Sequence, residues 1–544
     1  MNTAGDSNSP CVKNIRWDRH EVAAALDTLE REQSGILDYL TLILNGYHQS
    51  KHDKTYYDLL CGEWLLTFSH VVYAAYLQVE RDIPQVEFAR TIPAFSDYNQ
   101  FQGSIVEDPL QSEQIAAHVN WLLGEQNGGN IRWHSRTIQV SNKTGSNWRR
   151  RMRDWKSGAL RAFAKNDSKL ILCRPHVDRC SRRAWYATLW KWRKWAREEN
   201  FDYPLESSAE VDVVWRTKMS CEQQGTTFVE ILRRMLPLYL PVAYVEAFAD
   251  LRAQAHALRI PRPQAIYTAN SLHGHTLFKL LAADWRADGT KILNHQHGGN
   301  YGLDRVHAVE NYETRVCDRF FTLGWTGESA KQTVLPGALS PKSSRATGGR
   351  TKILLNCIAY PPSVFRIHFQ PMPGTIETML EQSAAFVQEM KGRCRMTLRP
   401  SPNDYAMRTV DSLSAIDASM VIDNMETSGI HSYLESDLVV HSYLGSSWLE
   451  TLALDIPTVC FYDPETYAWR EDSFGLVQAL MNVGILHESG REAAKFVLTV
   501  QKDPKLWWKK SDVQDARSEF VSRYARFSTE WPALWENEFF NWTN

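Results

Sequence analysis

The 544-residue chain has almost no net charge: 61 Lys and Arg stand against 63 Asp and Glu, a formal −2. So even a balance gives no global drive toward nucleic acid or an anionic lipid surface. There is no run of 18 apolar residues, so no membrane-spanning helix is expected. The opening residues, MNTAGDSNSPC, lack the apolar core of a secretory signal, and 1–12 are expected to be a disordered lead-in. Cysteine is scattered over nine positions, 11, 61, 173, 180, 221, 317, 357, 394 and 460. None forms a C-x-x-C pair and none has zinc spacing to a histidine. This excludes a disulfide framework and points to reduced thiols in a cytoplasmic protein.

Tryptophan, by contrast, is abundant at 20 residues. Indole is first of all core filler and second a platform for sugar rings. With 43% hydrophobic and 23% charged residues the chain reads as a folded soluble protein. Its length implies two or three domains.

The 3.6-residue period predicts a helix from Arg16 to Leu44, with Leu26, Leu29, Ile36, Leu37, Leu40 and Leu44 on one side. A second amphipathic helix is expected over Tyr56–Leu77, with His70 beside its stripe as a structural histidine. A short helix follows at Glu113–Gly124, and 131–140 alternate like a strand. Residues 181–200 put Trp185, Leu189, Trp192 and Ala196 on one helical face, with Trp190 and Trp195 among basic residues. The preferred reading is a core helix with a solvated basic rim. The alternative is a peripheral contact with an anionic membrane. Residues 227–257 are helical with breaks at Pro237 and Pro241.

From Lys169 onward, short apolar runs each end in a polar turn: Lys169–Cys173, Ala265–Ala269, Lys291–Leu293 and Arg319–Leu323. The stretch 336–350, rich in Pro, Gly and Ser, reads as a linker. The alternation then resumes with a strand from Lys352 that ends in a polar loop and strands at Met396–Leu398, Met420–Ile422, Leu438–His441 and 457–463, between helices at Ile376–Lys391, Ile430–Ser436 and 446–455. The expected fold class is α/β, with two Rossmann-like domains, 131–335 and 351–505, facing a cleft. A helical region over 1–130 packs on the first domain, and helices in 506–544 cross back.

Two stretches carry chemistry. In Lys291–Gly302, KILNHQHGGNYG, a short strand runs into a turn holding His295, Gln296, His297, Gly298, Gly299, Asn300, Tyr301 and Gly302. Paired glycines let a ligand approach the backbone, while imidazoles supply a donor or a base. In Ser436–Phe461 a strand ends at His441, and Gly445-Ser446-Ser447 opens a helix with Glu450 one turn inside. Amides and hydroxyls there suit a phosphate. A plain alternative is Ser447 as helix cap with Glu450 as its capping-box partner.

The order Asp-Leu-Val-Val, loop, Ser, Glu, Pro-Thr strand resembles the donor domain of GT-B glycosyltransferases. A narrower resemblance rests on Leu44–His48, Gly62-Glu63-Trp64-Leu65, Gln296–Gly302, Glu310 with Tyr312-Glu313, and Thr322–Trp325. Together these are similar to a bacterial transferase family from O-antigen and surface-carbohydrate gene regions, over most of the chain. More distantly the chain resembles capsule-type transferases that use CMP-activated 3-deoxy sugar acids and polyol-phosphate transferases that use CDP-glycerol. Where those carry a basic or His-Pro element, this chain reads Arg399-Pro400-Ser401-Pro402.

The resemblance implies a GT-B-like transferase with a nucleotide-sugar donor and a glycan or lipid-linked acceptor, for surface polysaccharide assembly, without metal or further cofactor. On the donor side, Arg399, His441, Ser446 and Ser447 suit a departing phosphate, Glu450 the ribose hydroxyls, and Asn356 the cleft wall. On the acceptor side, His297 is the first choice of base, then Glu313, then His273, with Gln296, Gly298, Gly299 and Tyr301 lining the cleft. A polyol-phosphate transferase, a UDP-sugar epimerase and a non-catalytic binding protein are the rival readings.

Overall fold

The computed structural model describes residues 17–124, 137–141, 168–177, 181–339 and 351–543, apart from positions 83, 85, 89, 90, 362, 370, 371, 373 and 406. The expected lead-in, residues 131–136 of the expected strand and residues 340–350 of the expected linker lie outside these.

Two long helices come first. In α1 (Arg19–His48) the Asp18 side chain accepts from the His20 and Glu21 amides, and Glu21 accepts from the Asp18 amide. This reciprocal cap satisfies amides that the helix itself leaves open. α2 (Lys54–Arg81) starts on Asp53. A single apolar stripe is the wrong picture for α2, because every residue from Tyr56 to Val72 is buried. It is enclosed by α1 and by the helices Pro109–Gly124, Thr276–Ala287 and Ala308–Val316.

The strands are β1 (Thr137–Ser141), β2 (Leu170–Cys173), β3 (Ala196–Glu198), β4 (Glu206–Glu210), β5 (Ala265–Thr268), β6 (Lys291–His295), β7 (Arg319–Thr322), β8 (Gln332–Val334), β9 (Gly337–Ala338), β10 (Lys352–Asn356), β11 (Arg395–Arg399), β12 (Val421–Ile422), β13 (Leu438–His441), β14 (Thr458–Phe461), β15 (Leu486–His487) and β16 (Phe527–Ser528). Two six-stranded sheets dominate, in the orders β3-β2-β5-β6-β7-β8 and β12-β11-β10-β13-β14-β15. All their pairings are parallel. The second sheet has the doubly wound order, in which the strands are added first to one side and then to the other, and the order reverses between its first and fourth strands, β10 and β13. Asn356 and His441 pair in register at that reversal, where such folds bind ligands.

Several boundaries differ from expectation. The helix expected over 181–200 stops at Trp192, because 196–198 pair with β2 as an edge strand. Trp185 and Trp192 are buried there, and Trp195 stacks on Phe540 at 4.7 Å. His295 belongs to β6 and not to the turn, with Nδ1 2.7 Å from the Tyr267 hydroxyl. Gly337-Ala338, assigned to the linker, pair with β16. The last helix, Trp531–Thr543, returns to the first sheet. Trp531, Trp535 and Phe539 pack with Leu170, Tyr267, Leu293 and Phe321.

Candidate active site

The site begins with a charge buried in an apolar helix. Glu63 lies inside the run Leu59–Leu66 of α2 and is 4% exposed. Beside it, Gly62 lets the helix Ala308–Val316 close in, since a Cβ there would stand 2.8 Å from the Tyr312 ring. A buried carboxylate needs partners, and Glu63 has three. Its Oε2 accepts from Lys279 Nζ (2.9 Å) and the Gly274 amide (2.8 Å), and its Oε1 lies 2.6 Å from His273 Nδ1. The other nitrogen of His273, Nε2, lies 2.6 Å from Glu313 Oε1. That same oxygen is 3.4 Å from Nδ1 of His297, and Glu313 Oε2 accepts from the Tyr301 hydroxyl at 3.0 Å. A buried chain thus runs Lys279–Glu63–His273–Glu313–His297 across α2, the turns after β5 and β6, and two helices.

The two histidines carry different charge. Burial opposes a charge on His273, but Glu63 and Glu313 outweigh it and raise the ring to about 9. His273 is therefore an imidazolium near neutrality, and its expected role as a base is corrected. Burial also leads at His297, with Glu313 pulling the other way, and the ring is lowered to about 4. His297 is neutral, its Nδ1 turned to Glu313 and its Nε2 without a hydrogen-bond partner among the described residues. A neutral imidazole backed by a carboxylate can take up a proton at its free nitrogen.

The rest of the turn is held by Gln296. Its Oε1 accepts from the Trp325 indole (2.8 Å) and the Leu323 amide (3.1 Å), and its Nε2 donates to Gly298 (2.9 Å). Gln296 therefore shapes the loop from beneath and is 2% exposed. Gly298 and Gly299 face the second domain. The Gly299 amide donates to Ser446 Oγ at 2.9 Å, and a Cβ on Gly299 would stand 2.5 Å from the Gly445 carbonyl carbon. The glycines let the two domains touch backbone to backbone.

Across the contact, the helix Ser446–Ala453 is capped by Gly445 without a side-chain bond, so Ser447 is not the cap. Ser447 Oγ instead joins Tyr443 Oη (2.8 Å), Asn356 Nδ2 (3.1 Å) and His441 Nδ1 (3.3 Å). Ser446, Ser447 and Glu450 line a cavity of about 340 Å³ together with Gly299, Asn300, Tyr360 and Tyr443.

Two donor-side expectations are corrected. His441 is fully buried, its Nε2 lies 3.0 Å from Thr451 Oγ1, and burial lowers it to about 3. It is a neutral brace under Ser447 and not a cation for phosphate. Arg399 ends β11 but is spent within its own domain, on Asp423 (2.6 Å), Ser432 (3.1 Å) and the Thr427 carbonyl (3.2 Å).

Sequence reading assigned no chemistry to Glu63 or Lys279. The signal was there: each is a charge inside an apolar helical run, and such charges must be paired. Glu310 bridges the domains, accepting from the Gly302 amide and Arg470, both at 2.9 Å.

His273, His297 and Glu313 also offer metal-binding atoms within 4.8 Å of one another. By type they fit a cation. By spacing they do not, since His273 Nε2 and Glu313 Oε1 are 2.6 Å apart and two ligands of one tetrahedral ion stand about 3.3 Å apart at ~2.0–2.1 Å bonds.

Two sheets of parallel strands, meeting where the turn after β6 packs on the helix N-terminus at Ser446, make a GT-B-like α/β fold. The particular assignment follows from sequence. The chain belongs to the LIC12162 family of transferases, whose sequence model matches residues 2–539. No curated protein matches it. Solved structures overlay only loosely. A mutant of S. aureus TarM in complex with fondaparinux, alpha-GlcNAc-glycerol and UDP gives a TM-score of 0.36 at 13% identity, covering 55% of this chain and 59% of TarM. The chain thus spans less than two thirds of TarM's length. A UDP co-structure of S. aureus MnaA gives 0.40 at 8% identity, over 68% of this chain and 96% of that one. A glycosyltransferase from Rickettsia africae gives 0.36 at 10%, over 69% and 98%.

Proposed function

We propose that this transferase is a glycosyltransferase that moves a sugar from a nucleotide donor to a hydroxyl of a surface-polysaccharide or lipid-linked acceptor. The observation that supports this is the cavity where the turn carrying His297 meets the helix N-terminus at Ser446. In this reading the acceptor O–H gives its proton to Nε2 of His297. The acceptor oxygen forms a bond to the anomeric carbon as that carbon's bond to phosphate breaks. The leaving phosphate keeps the electron pair and is met by the amides at Ser446 and Ser447. Glu313 steadies the imidazolium formed on His297, and His273, already charged, holds Glu313 in place. No step passes through a metal or further cofactor.

The donor proposed first is a CMP-activated 3-deoxy sugar acid, on the more distant resemblance to capsule-type transferases, although their His-Pro element is replaced here by Arg399-Pro400. The exposed basic rim of the helix Arg182–Trp192, with Trp190 47% exposed, would face a membrane that presents a lipid-linked acceptor.

Thermal shift with CMP, UDP, GDP and CDP tests the donor reading. At least one nucleotide is expected to raise Tm, and no rise with any of them refutes it. His297→Ala is expected to keep nucleotide binding and lose transfer. Turnover of a UDP-sugar without acceptor would instead identify an epimerase, and release of CMP from CDP-glycerol with phosphate transferred would identify a polyol-phosphate transferase.

A further inference from the structure

With Arg399 spent on Asp423, another cation lies next to the cleft cavity, in a recess that shares Tyr360 with it. Arg366 lies in the loop between β10 and the helix Ile376–Met390. The loop is fastened to α2, where the Ile367 amide donates to His70 Nδ1 at 2.9 Å. Three arginines of the interior have carboxylates: Arg216 has Glu246, Arg315 has Asp58, and Arg470 has Glu310. Arg366 has no hydrogen bond or ion pair with any described residue, and its Nε is buried without an acceptor. Its guanidinium lies over the Phe365 ring, 4.9 Å from the centroid.

The titratable groups that feel its charge most directly are neutral, and Glu313, which touches two of them, is paired with His273. His70 on α2, His297 in the turn after β6, His307 at the start of the next helix and His368 in its own loop are all held neutral. Burial is the main cause for each, and the Arg366 charge adds to it. Tyr301 and Tyr360 are pushed up by burial and remain hydroxyls. Arg366 lines a narrow recess with Tyr360, His368 and Met372, and Tyr360 also lines the cavity of Gly299, Ser446 and Glu450. A half-buried guanidinium with no internal counter-charge is costly unless a ligand supplies one. Its planar fork matches the oxygens of a phosphate or a carboxylate.

We propose that Arg366 binds an oxyanion of the ligand in this cleft, either the phosphate of the nucleotide donor or the carboxylate of the sugar it carries. The proposal rests on reading the cleft as a donor site.

The test is calorimetric titration of the full chain and of Arg366→Gln and Arg366→Lys, with UDP, CMP, inorganic pyrophosphate and N-acetylneuraminate as probes. Arg366→Gln is expected to weaken at least one probe by about tenfold or more, as loss of a charged contact does. Arg366→Lys should retain part of that affinity, and the Tm of the free protein should not fall, because no internal pair is broken. Loss confined to pyrophosphate and nucleotides identifies phosphate as the source, and loss confined to N-acetylneuraminate identifies the sugar carboxylate. Arg366-dependent pyrophosphate binding without any nucleotide binding would leave the oxyanion site standing and refute the donor reading. Equal affinities in wild type and Arg366→Gln, or no binding of any probe to wild type, would overturn the proposal.

Discussion

Glu63→Gln removes one negative charge from the centre of the buried chain and tests whether that chain is a unit. Lys279 behind it is fully buried, with Glu63 as its ion-pair partner at 2.9 Å. The amide of glutamine keeps one acceptor oxygen, which can serve Lys279 or the Gly274 amide but neutralises neither Lys279 nor His273. Removing one partner of a buried pair costs about 3–5 kcal/mol, and the retained oxygen argues for the lower end. At roughly 2–4 °C per kcal/mol for a unit of this size, Tm should fall by about 6–12 °C at pH 7. Circular dichroism and calorimetry measure it. Lys279→Met alone should also destabilise, while Glu63→Gln with Lys279→Met should recover part of the loss. The pH profile adds an independent readout. The folded-state pKa of His273, about 9, lies above the ordinary 6.5, so its contribution is full below 6.5 and is lost as pH rises through about 9. Glu63→Gln should flatten that decline. A Tm within about 1 °C of wild type, or a double variant as unstable as the sum of the two single losses, would refute the coupling.

Three further outcomes are expected. Burial raises Asp304 to about 8 against the hydrogen bond from Tyr467 and the charge of Arg470, so the folded protein keeps a proton that the unfolded chain has released; stability should decline from about pH 4 to pH 8, and Asp304→Asn should remove that slope in melting curves. Gly299→Ala would put a Cβ 2.5 Å from the Gly445 backbone, whereas the nearest atom to a Cβ on Gly298 is in the Tyr301 ring at 3.3 Å, with Ser446 Oγ at 3.9 Å; the first should cost about 1–3 kcal/mol and abolish any nucleotide-induced rise in Tm, the second much less. Trp535 is 1% exposed and donates to the Pro336 carbonyl at 2.8 Å, so Trp535→Ala should cost about 3–5 kcal/mol and open the Trp531–Thr543 helix to limited proteolysis.

Local pattern carried much of the fold. Apolar runs ending in polar turns mark β5, β6, β7, β10 and β13 to within a residue or two, because strand burial and turn chemistry act over neighbouring positions. Where pairing is remote the pattern misleads. Ala196–Glu198 continues a helical face in sequence, yet the edge of β2 claims its backbone. α2 carries an apolar stripe by period, yet helices from three later regions of the chain enclose it.

Read alone, the chain determined its own fold class: the alternation of strand and helix and the two parallel-sheet halves. It also singled out His297 and Glu313 in the first half, whose side chains lie 3.4 Å apart, and Ser446 and Ser447 in the second. Tertiary structure alone decided which of the charges are available. Glu63 meets His273 across 210 positions, Arg399 is taken by Asp423, and Arg366 meets no carboxylate among the described residues. The reason is physical: a charge acquires its role from burial and from the partner opposite it, and both are set by parts of the chain that sequence proximity does not connect.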